Sequence, residues 1–198
     1  MSTWEVINSK VVILAFGFIL TTITGAIIAY HFQQRSWARQ TYLDLYKAKY
    51  DEGIKFLDDI SELIGKRFFY LQRFMWEISS DDGNNLPRLE KEYFDLVLIW
   101  NSNYYKNRNK LRLLVGEHIA TLFLDYADDT RLDPESLHYQ FVHTHQIVID
   151  SKKDKLKIRE ALTAVLKLNS SCSIFLEKTT NEFTDRAEKL QLLKVKQH

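Results

Sequence analysis

The sequence predicts an all-α protein, in which one N-terminal transmembrane helix precedes an antiparallel bundle of three long helices and one short helix. Three observations predict this fold. An uncharged apolar run of about 20 residues lies near the N-terminus. Beyond residue 50, apolar side chains recur in alternating steps of four and three residues, as they do on helices that pack against helices. The 198 residues include only two prolines and six glycines, so few positions interrupt a helix.

The apolar run has the length and composition of a membrane span. Residues 11–30, VVILAFGFILTTITGAIIAY, contain no charged side chain, and as a helix they extend for roughly 30 Å, the thickness of a bilayer's hydrocarbon core. A cleaved signal peptide would have a shorter apolar region and a small-x-small cleavage site, which the following segment HFQQRSWARQ does not offer. We therefore predict a tail over residues 1–10, a transmembrane helix over 11–31 and a helical bundle over 32–198.

The charges beside the span predict its orientation. Lys10 is the only cationic side chain before the run, whereas Arg35, Arg39, Lys47 and Lys49 follow it. Because positively charged flanks stay in the cytoplasm, we expect a single-pass protein of the inner (cytoplasmic) membrane, with its N-terminus outside and its bundle in the cytoplasm.

Four small residues form a ridge along the span. Gly17, Thr21, Gly25 and Ala29 recur every four residues and so share one helix face. Small side chains let two helix backbones approach closely in lipid, where van der Waals contact drives association. The ridge predicts that the span packs against copies of itself or against a partner helix. The alternative is that glycine and threonine are simply frequent in membrane helices.

The first two helices of the predicted bundle carry long seams with heptad spacing, like those of a coiled coil. The first helix ends at the turn sequence SSDDGNNLP, and the second runs from about residue 87 to 128, with a possible opening at NSNYYKNRN. The first seam comprises Tyr50, Ile54, Leu57, Ser61, Ile64, Phe68, Leu71, Met75 and Ile78. The second comprises Phe94, Val97, Asn101, Tyr104, Arg108, Leu111, Val115, His118 and Leu122.

The last two helices follow the turn sequence DDTRLDPES, in which Asp133 is the predicted N-cap. The short third helix directs Leu137, Phe141, Thr144 and Val148 inward. The fourth spans about 155–194, with the seam Ile158, Leu162, Val165, Asn169, Cys172, Leu176, Thr179 and Phe183. Cys172 is the only cysteine, so an intramolecular disulfide is excluded and a small core residue is predicted.

Three polar residues fall on the predicted buried stripe of the second helix. Asn101, Arg108 and His118 share this face, and buried polar groups need partners. We predict a structural polar layer that fixes the register of the helices, with a functional pocket as the alternative.

Two Arg–His pairs have the spacing found in helical ribonucleases of the HEPN class. They are Arg112 and His118 in RLLVGEH, and Arg131 and His138 in RLDPESLH. Such a pair could place a general base beside a cation that stabilises a phosphorane-like transition state. With ten arginines and six histidines, however, about one match is expected by chance, and leucine follows the arginine in both where the HEPN pattern favours a polar residue. A catalytic function is therefore not the preferred prediction.

No cofactor or metal is predicted. His138 and His145 share a helix face but lie about 10 Å apart along it, which is too far for one zinc ion whose donors stand at about 2 Å. The segment YYKNRNKLR carries Lys106, Arg108, Lys110 and Arg112, which could contact phosphate or anionic lipid or simply face solvent. Because the net charge is only +1, nucleic acid is not an expected partner.

The architecture resembles that of the small membrane accessory proteins of type VI-B RNA-targeting CRISPR systems. The resemblance covers the single span, the helical bundle, the length and the Arg112–His118 spacing. It implies an HEPN-like domain, assembly in the membrane and antiphage defence through membrane damage. The preferred hypothesis is thus an oligomeric bacterial antiviral effector or accessory that alters the membrane. The alternatives are a tethered scaffold that recruits a cytosolic protein partner and a tethered HEPN-like ribonuclease.

Overall fold

The computed structural model describes residues 3–80, 85–128 and 131–195, and these are helical except for one short hairpin and the connecting turns. The predicted all-helical class is confirmed. The helices are α1 (Thr3–Ser79), α2 (Leu86–Leu114), α3 (Glu117–Phe123), α4 (Leu137–Lys153) and α5 (Ile158–Val195), with a 3₁₀ turn at Lys155–Lys157. The antiparallel hairpin consists of β1 (Tyr126–Asp128) and β2 (Arg131–Leu132).

The chain divides into two compact units, Met1–Glu52 and Gly53–His198. The first unit contains the apolar run, and nearly all of its described side chains are exposed. The second contains the hydrophobic core, to which all five helices and the hairpin contribute. The core-forming unit thus begins at Gly53, whereas we predicted from the sequence that the helical bundle begins at residue 32.

The first predicted seam is correct from Leu57 onward, and only its first two positions are exposed. Ile64, Leu71 and Met75 are fully buried, whereas Ile54 is exposed. The spacing identified the helix and its inward face, but it did not reveal where along α1 other helices begin to cover that face.

The predicted buried face of α2 was wrong by about one residue, or about 100° of helix rotation, in the N-terminal half of the helix, whereas Leu111 and Val115 are buried as predicted. Tyr93 and Trp100 are fully buried, whereas their neighbours Phe94 and Asn101 are exposed. Tyrosine and tryptophan bury the largest areas, and they determine which side of this helix faces the core.

The second predicted helical region is broken at a glycine. The segment NSNYYKNRN remains helical, but α2 ends at Leu114 and α3 begins at Glu117. Between them Gly116 adopts φ 142° and ψ 166°, a conformation that is almost restricted to glycine. The prediction of one helix to about residue 128 was therefore wrong.

The short third helix matches its predicted inward positions, but its cap differs. Leu137, Phe141, Thr144 and Val148 are all buried. The N-cap is Ser136, whose hydroxyl accepts the N–H of Tyr139 at 3.3 Å. The predicted cap, Asp133, instead accepts the N–H of Glu135 at 2.7 Å, within the turn before the helix.

The last seam is largely confirmed. Val165, Cys172, Thr179 and Phe183 are buried, whereas Asn169 is exposed and the neighbouring Leu168 occupies the core.

Replacing Gly53 by alanine should destabilise the fold. A Cβ at Gly53 would lie 2.5 Å from Cε2 of Phe183, whose ring is buried. We expect Gly53→Ala to lower the free energy of unfolding by about 2 kcal/mol through overpacking, as measured by denaturant unfolding. Gly65 lies in the same helix and has no neighbouring atom within 4 Å of such a Cβ. Gly65→Ala should instead stabilise by about 0.5–1 kcal/mol, and equal effects at both positions would contradict the prediction.

Candidate functional site

The apolar N-terminal segment is the most conspicuous surface of the chain. By length and composition, α1 is the one helix among the described residues that could cross a membrane. None of its most apolar window is buried within the chain, and large side chains such as Leu14, Phe16 and Phe18 are more than two-thirds exposed. Soluble monomers rarely expose an apolar surface this continuous, so the segment favours contact with lipid or with another apolar surface.

The ridge of small residues on this segment is exposed, and its two glycines have open space around them. A Cβ added at Gly17 or Gly25 would meet no heavy atom within 4 Å. Gly53 is the opposite case, since Phe183 occupies the space that its missing side chain leaves. Packing within the chain therefore explains Gly53 but gives no reason for the two glycines of the span.

The threonines of the span satisfy their hydroxyl groups within the helix. Thr21 Oγ1 donates to the carbonyl of Gly17 at 2.9 Å, and Thr22 Oγ1 donates to that of Phe18 at 2.7 Å. Thr24 Oγ1 likewise donates to the carbonyl of Leu20, one helical turn earlier, at 2.7 Å. Because the hydroxyls already have partners, the segment can face lipid without a water-filled channel to solvate them.

The Arg112–His118 pair lies on either side of the helix break at Gly116. Both side chains are exposed, and the structure gives no hydrogen bond between them. Nε of Arg112 instead lies 3.8 Å from a carboxylate oxygen of Glu117. Their pairing in catalysis stays a prediction that these contacts do not favour.

The second Arg–His pair is not a candidate catalytic site in this arrangement. The side chain of Arg131 lies outside the described residues. His138 is buried, and its Nδ1 accepts a hydrogen bond from Nε1 of Trp100 at 2.8 Å. This histidine therefore belongs to the core rather than to an accessible surface.

The predicted buried polar layer was wrong, because Asn101 and His118 are exposed in the chain. Arg108 is half-buried and connects two elements. Its Nε donates to the carbonyl of Leu124 at 2.9 Å, and its Nη2 lies 3.3 Å from Glu117. Arg108 thus fastens α2 to the end of α3, and the rotation of α2 explains why Asn101 does not join it.

Acidic or aromatic neighbours engage three of the four cations predicted to contact phosphate or lipid. Arg108 and Arg112 share Glu117, and Nζ of Lys110 lies 5.2 Å from the ring centre of Phe56. Lys106 is exposed. Contact with phosphate or lipid stays a prediction, and the shared carboxylate weakens the field that this segment projects.

Sequence reasoning missed Arg67, the most deeply buried charged residue of the described chain. Only 2% of it is exposed. Its guanidinium carbon lies 4.6 Å from the ring centre of Trp100 and 4.5 Å from that of Phe141. Those two centres are only 5.3 Å apart, so both rings lie on one side of the guanidinium. The signal in the sequence was weak, because an arginine beside a heptad seam ordinarily faces solvent.

The ionisable groups that interact with Arg67 are held in their neutral forms. Burial lowers the pKa of His138 to about 4, and the positive charge of Arg67 adds to this effect. Burial and the same charge also lower the pKa of His145. Burial raises the pKa of the Cys172 thiol to about 12 and raises that of Tyr93, although Arg67 opposes both shifts. At neutral pH, none of these four side chains is negatively charged, so none of them balances the positive charge of Arg67.

The chain matches no known family model, no curated protein and no solved structure. Among the residues that the structure describes, no group of three or more histidine, cysteine, aspartate or glutamate side chains is arranged to hold a metal ion. The apolar segment and the core of the second unit are the features of the described chain that bear on its function.

Proposed function

We propose that the chain is an oligomeric single-pass protein of the cytoplasmic membrane, with its N-terminus outside and an antiparallel helical bundle in the cytoplasm. It acts by altering the membrane, as a bacterial antiviral effector or accessory. The observation that carries the proposal is the ridge of small residues, whose four members are exposed and whose two glycines have open space where a Cβ would lie.

The ridge supports association for a physical reason. Lipid tails are as apolar as leucine, so helices in a bilayer gain little from hydrophobic burial and associate through close contact instead. Gly17 and Gly25 leave room for a second backbone, and no atom of the described chain uses that room. The flanking charges support the proposed orientation, since Arg35 and Arg39 follow the span and only Lys10 precedes it.

The antiviral role rests on the resemblance to the type VI-B accessory proteins. In that arrangement, the span gathers copies in the membrane and the bundle receives the activating signal in the cytoplasm. The second unit supports membrane alteration better than RNA cleavage, because Arg112 pairs with Glu117 and His138 is buried in the core.

Cysteine crosslinking in native membranes tests the association. In a Cys172→Ser background, Thr21→Cys should form disulfide-linked dimers under mild oxidation, because the ridge faces a second copy. Ile23→Cys, which points away from the ridge, is the control and should crosslink far less. Adding Gly25→Leu to the Thr21→Cys chain should reduce dimers about tenfold by keeping the backbones apart. Equal crosslinking from residues 21 and 23, or none from 21, would contradict the proposal.

Dye entry into cells tests the membrane effect. Cells that carry the activated protein should take up a membrane-impermeant dye, and the Gly17→Leu/Gly25→Leu variant should not, although it still inserts. Ile19→Leu/Ile27→Leu keeps the ridge and should retain the wild-type effect.

A second candidate function is a membrane-tethered scaffold that recruits a cytosolic protein. Exposed apolar side chains on α2, among them Phe94, Leu98 and Leu113, favour this alternative. The dye experiment distinguishes the two functions, because cells that carry a scaffold would keep an intact membrane and would exclude the dye.

A further inference from the structure

Arg67 carries a buried positive charge that no described residue neutralises. Among the described residues, no carboxylate forms an ion pair with it. Glu90, which acts on the nearby His145, instead receives a hydrogen bond from Lys152 at 2.9 Å. Stacking on Trp100 offsets only part of the penalty of removing a guanidinium from water.

The unsatisfied polar atoms of the core gather around this charge. Four buried side-chain polar atoms of the described chain make no hydrogen bond of good geometry: Nε and Nη1 of Arg67, Oη of Tyr93 and Nε2 of His145. Arg67 and Tyr93 are nevertheless close enough for a weak hydrogen bond between their side chains to act on both pKa values, and this bond would still leave the hydroxyl proton of Tyr93 available. Arg67 interacts electrostatically with both of the other residues, whose ring centres are 4.9 Å apart. Three helices, α1, α2 and α4, therefore bring polar groups to one positively charged place in the core, where the guanidinium N–H groups and the Tyr93 hydroxyl are donors and His145 becomes one in the tautomer that carries its proton on Nε2.

We propose that Arg67, Tyr93 and His145 form a binding site for one small monovalent inorganic anion, such as chloride. An ordered water molecule could satisfy some of these donors, but it would leave the charge uncompensated. An anion satisfies both needs, and a single negative charge matches the single guanidinium. The surroundings favour a small ion, because Tyr93 and Trp100 are fully buried and packed against their neighbours. This inference does not depend on the proposed membrane function.

Thermal unfolding of the full chain in detergent tests the site. At constant ionic strength, replacing gluconate by chloride at ten times its dissociation constant should raise the Tm by about 4 °C. Arg67→Met should abolish the chloride dependence while the chain still folds, because an apolar side chain of similar length tolerates this position. Arg73→Met is the matched control: it removes an arginine of the same helix that stacks on Phe69, and it should keep the wild-type response.

Tyr93→Phe provides a gentler variant that keeps the ring and removes one donor. It should weaken chloride binding about tenfold without preventing saturation. If the wild type has the same Tm in both salts, or if Arg67→Met and Arg73→Met respond alike, the site does not exist.

Fluorescence of Trp100 gives an independent measurement. In a chain whose other tryptophans are replaced by phenylalanine, bromide should quench Trp100 in a saturable manner, because the ion would bind beside the guanidinium that contacts this ring. Arg67→Met should remove the saturable part. Quenching that rises only linearly with bromide would contradict binding at this site.

Discussion

Acidification from pH 6.5 to pH 4 is expected to lower the free energy of unfolding by about 3 kcal/mol through His138 alone. The pKa of this histidine falls from 6.5 in the unfolded chain to about 4 in the fold, because burial and Arg67 disfavour its charged form. Between these values the unfolded chain binds more protons, so stability is complete above pH 6.5 and is lost as the pH falls toward 4. Protonation also removes the lone pair that accepts Nε1 of Trp100. His145, whose pKa is lowered too, acts in the same direction.

Denaturant unfolding at a series of pH values checks this expectation. His138→Asn keeps an acceptor for the indole N–H but does not titrate in this range, so it should flatten the pH dependence by about 3 kcal/mol. His118→Asn, which removes an exposed histidine, should keep the wild-type profile. If the profile of His138→Asn equals that of the wild type, carboxylates elsewhere account for the acid sensitivity.

Gly116→Ala is expected to lower the free energy of unfolding by about 3 kcal/mol. At φ 142° and ψ 166° an L side chain strains the backbone, and this alone costs about 1–3 kcal/mol. The added Cβ would also lie 2.6 Å from Nη2 of Arg186, which must then move. Both effects act at the single junction between α2 and α3.

A double variant separates the two effects at Gly116. Gly116→Ala/Arg186→Ala removes the contact but keeps the backbone strain, so it should recover only part of the lost stability, as measured against Arg186→Ala alone. Full recovery would show that the backbone at this junction tolerates a side chain and would contradict the assignment of strain. A Gly65→Ala chain, with open space around residue 65, provides the baseline for an unstrained substitution.

Periodicity predicted much of the fold because helix formation depends on local spacing. The inward positions of the short helix, from Leu137 to Val148, were all correct, since a stripe of four consistent positions leaves little choice of face. In α2, two adjacent stripes were both apolar, and only the larger area of Tyr93 and Trp100 decides between them. The break at Gly116 depends on one residue's backbone conformation, which spacing does not encode.

The core cluster was harder to predict than the helices that form it. Arg67 lies beside its seam rather than on it, and a two-helix seam is narrower than the face that a helix buries among several neighbours. The contacts of Arg67 with Trp100 and Phe141 join positions far apart in the sequence. The small-residue ridge, by contrast, was visible in the sequence because it repeats along one helix, and its role in association stays a prediction.

The inward-bonded hydroxyls of the apolar segment determine what an approaching helix would touch. The hydroxyl of Thr21 donates to the backbone carbonyls of Gly17 and Phe18. The outer surface of this side chain is therefore largely its γ-methyl group, and the side chain resembles valine in outline. A helix that packs on this face would be selected by its shape, because the threonine hydroxyls offer it no hydrogen-bond donor. Any chain with a complementary groove qualifies, and fidelity must come from the domain that follows.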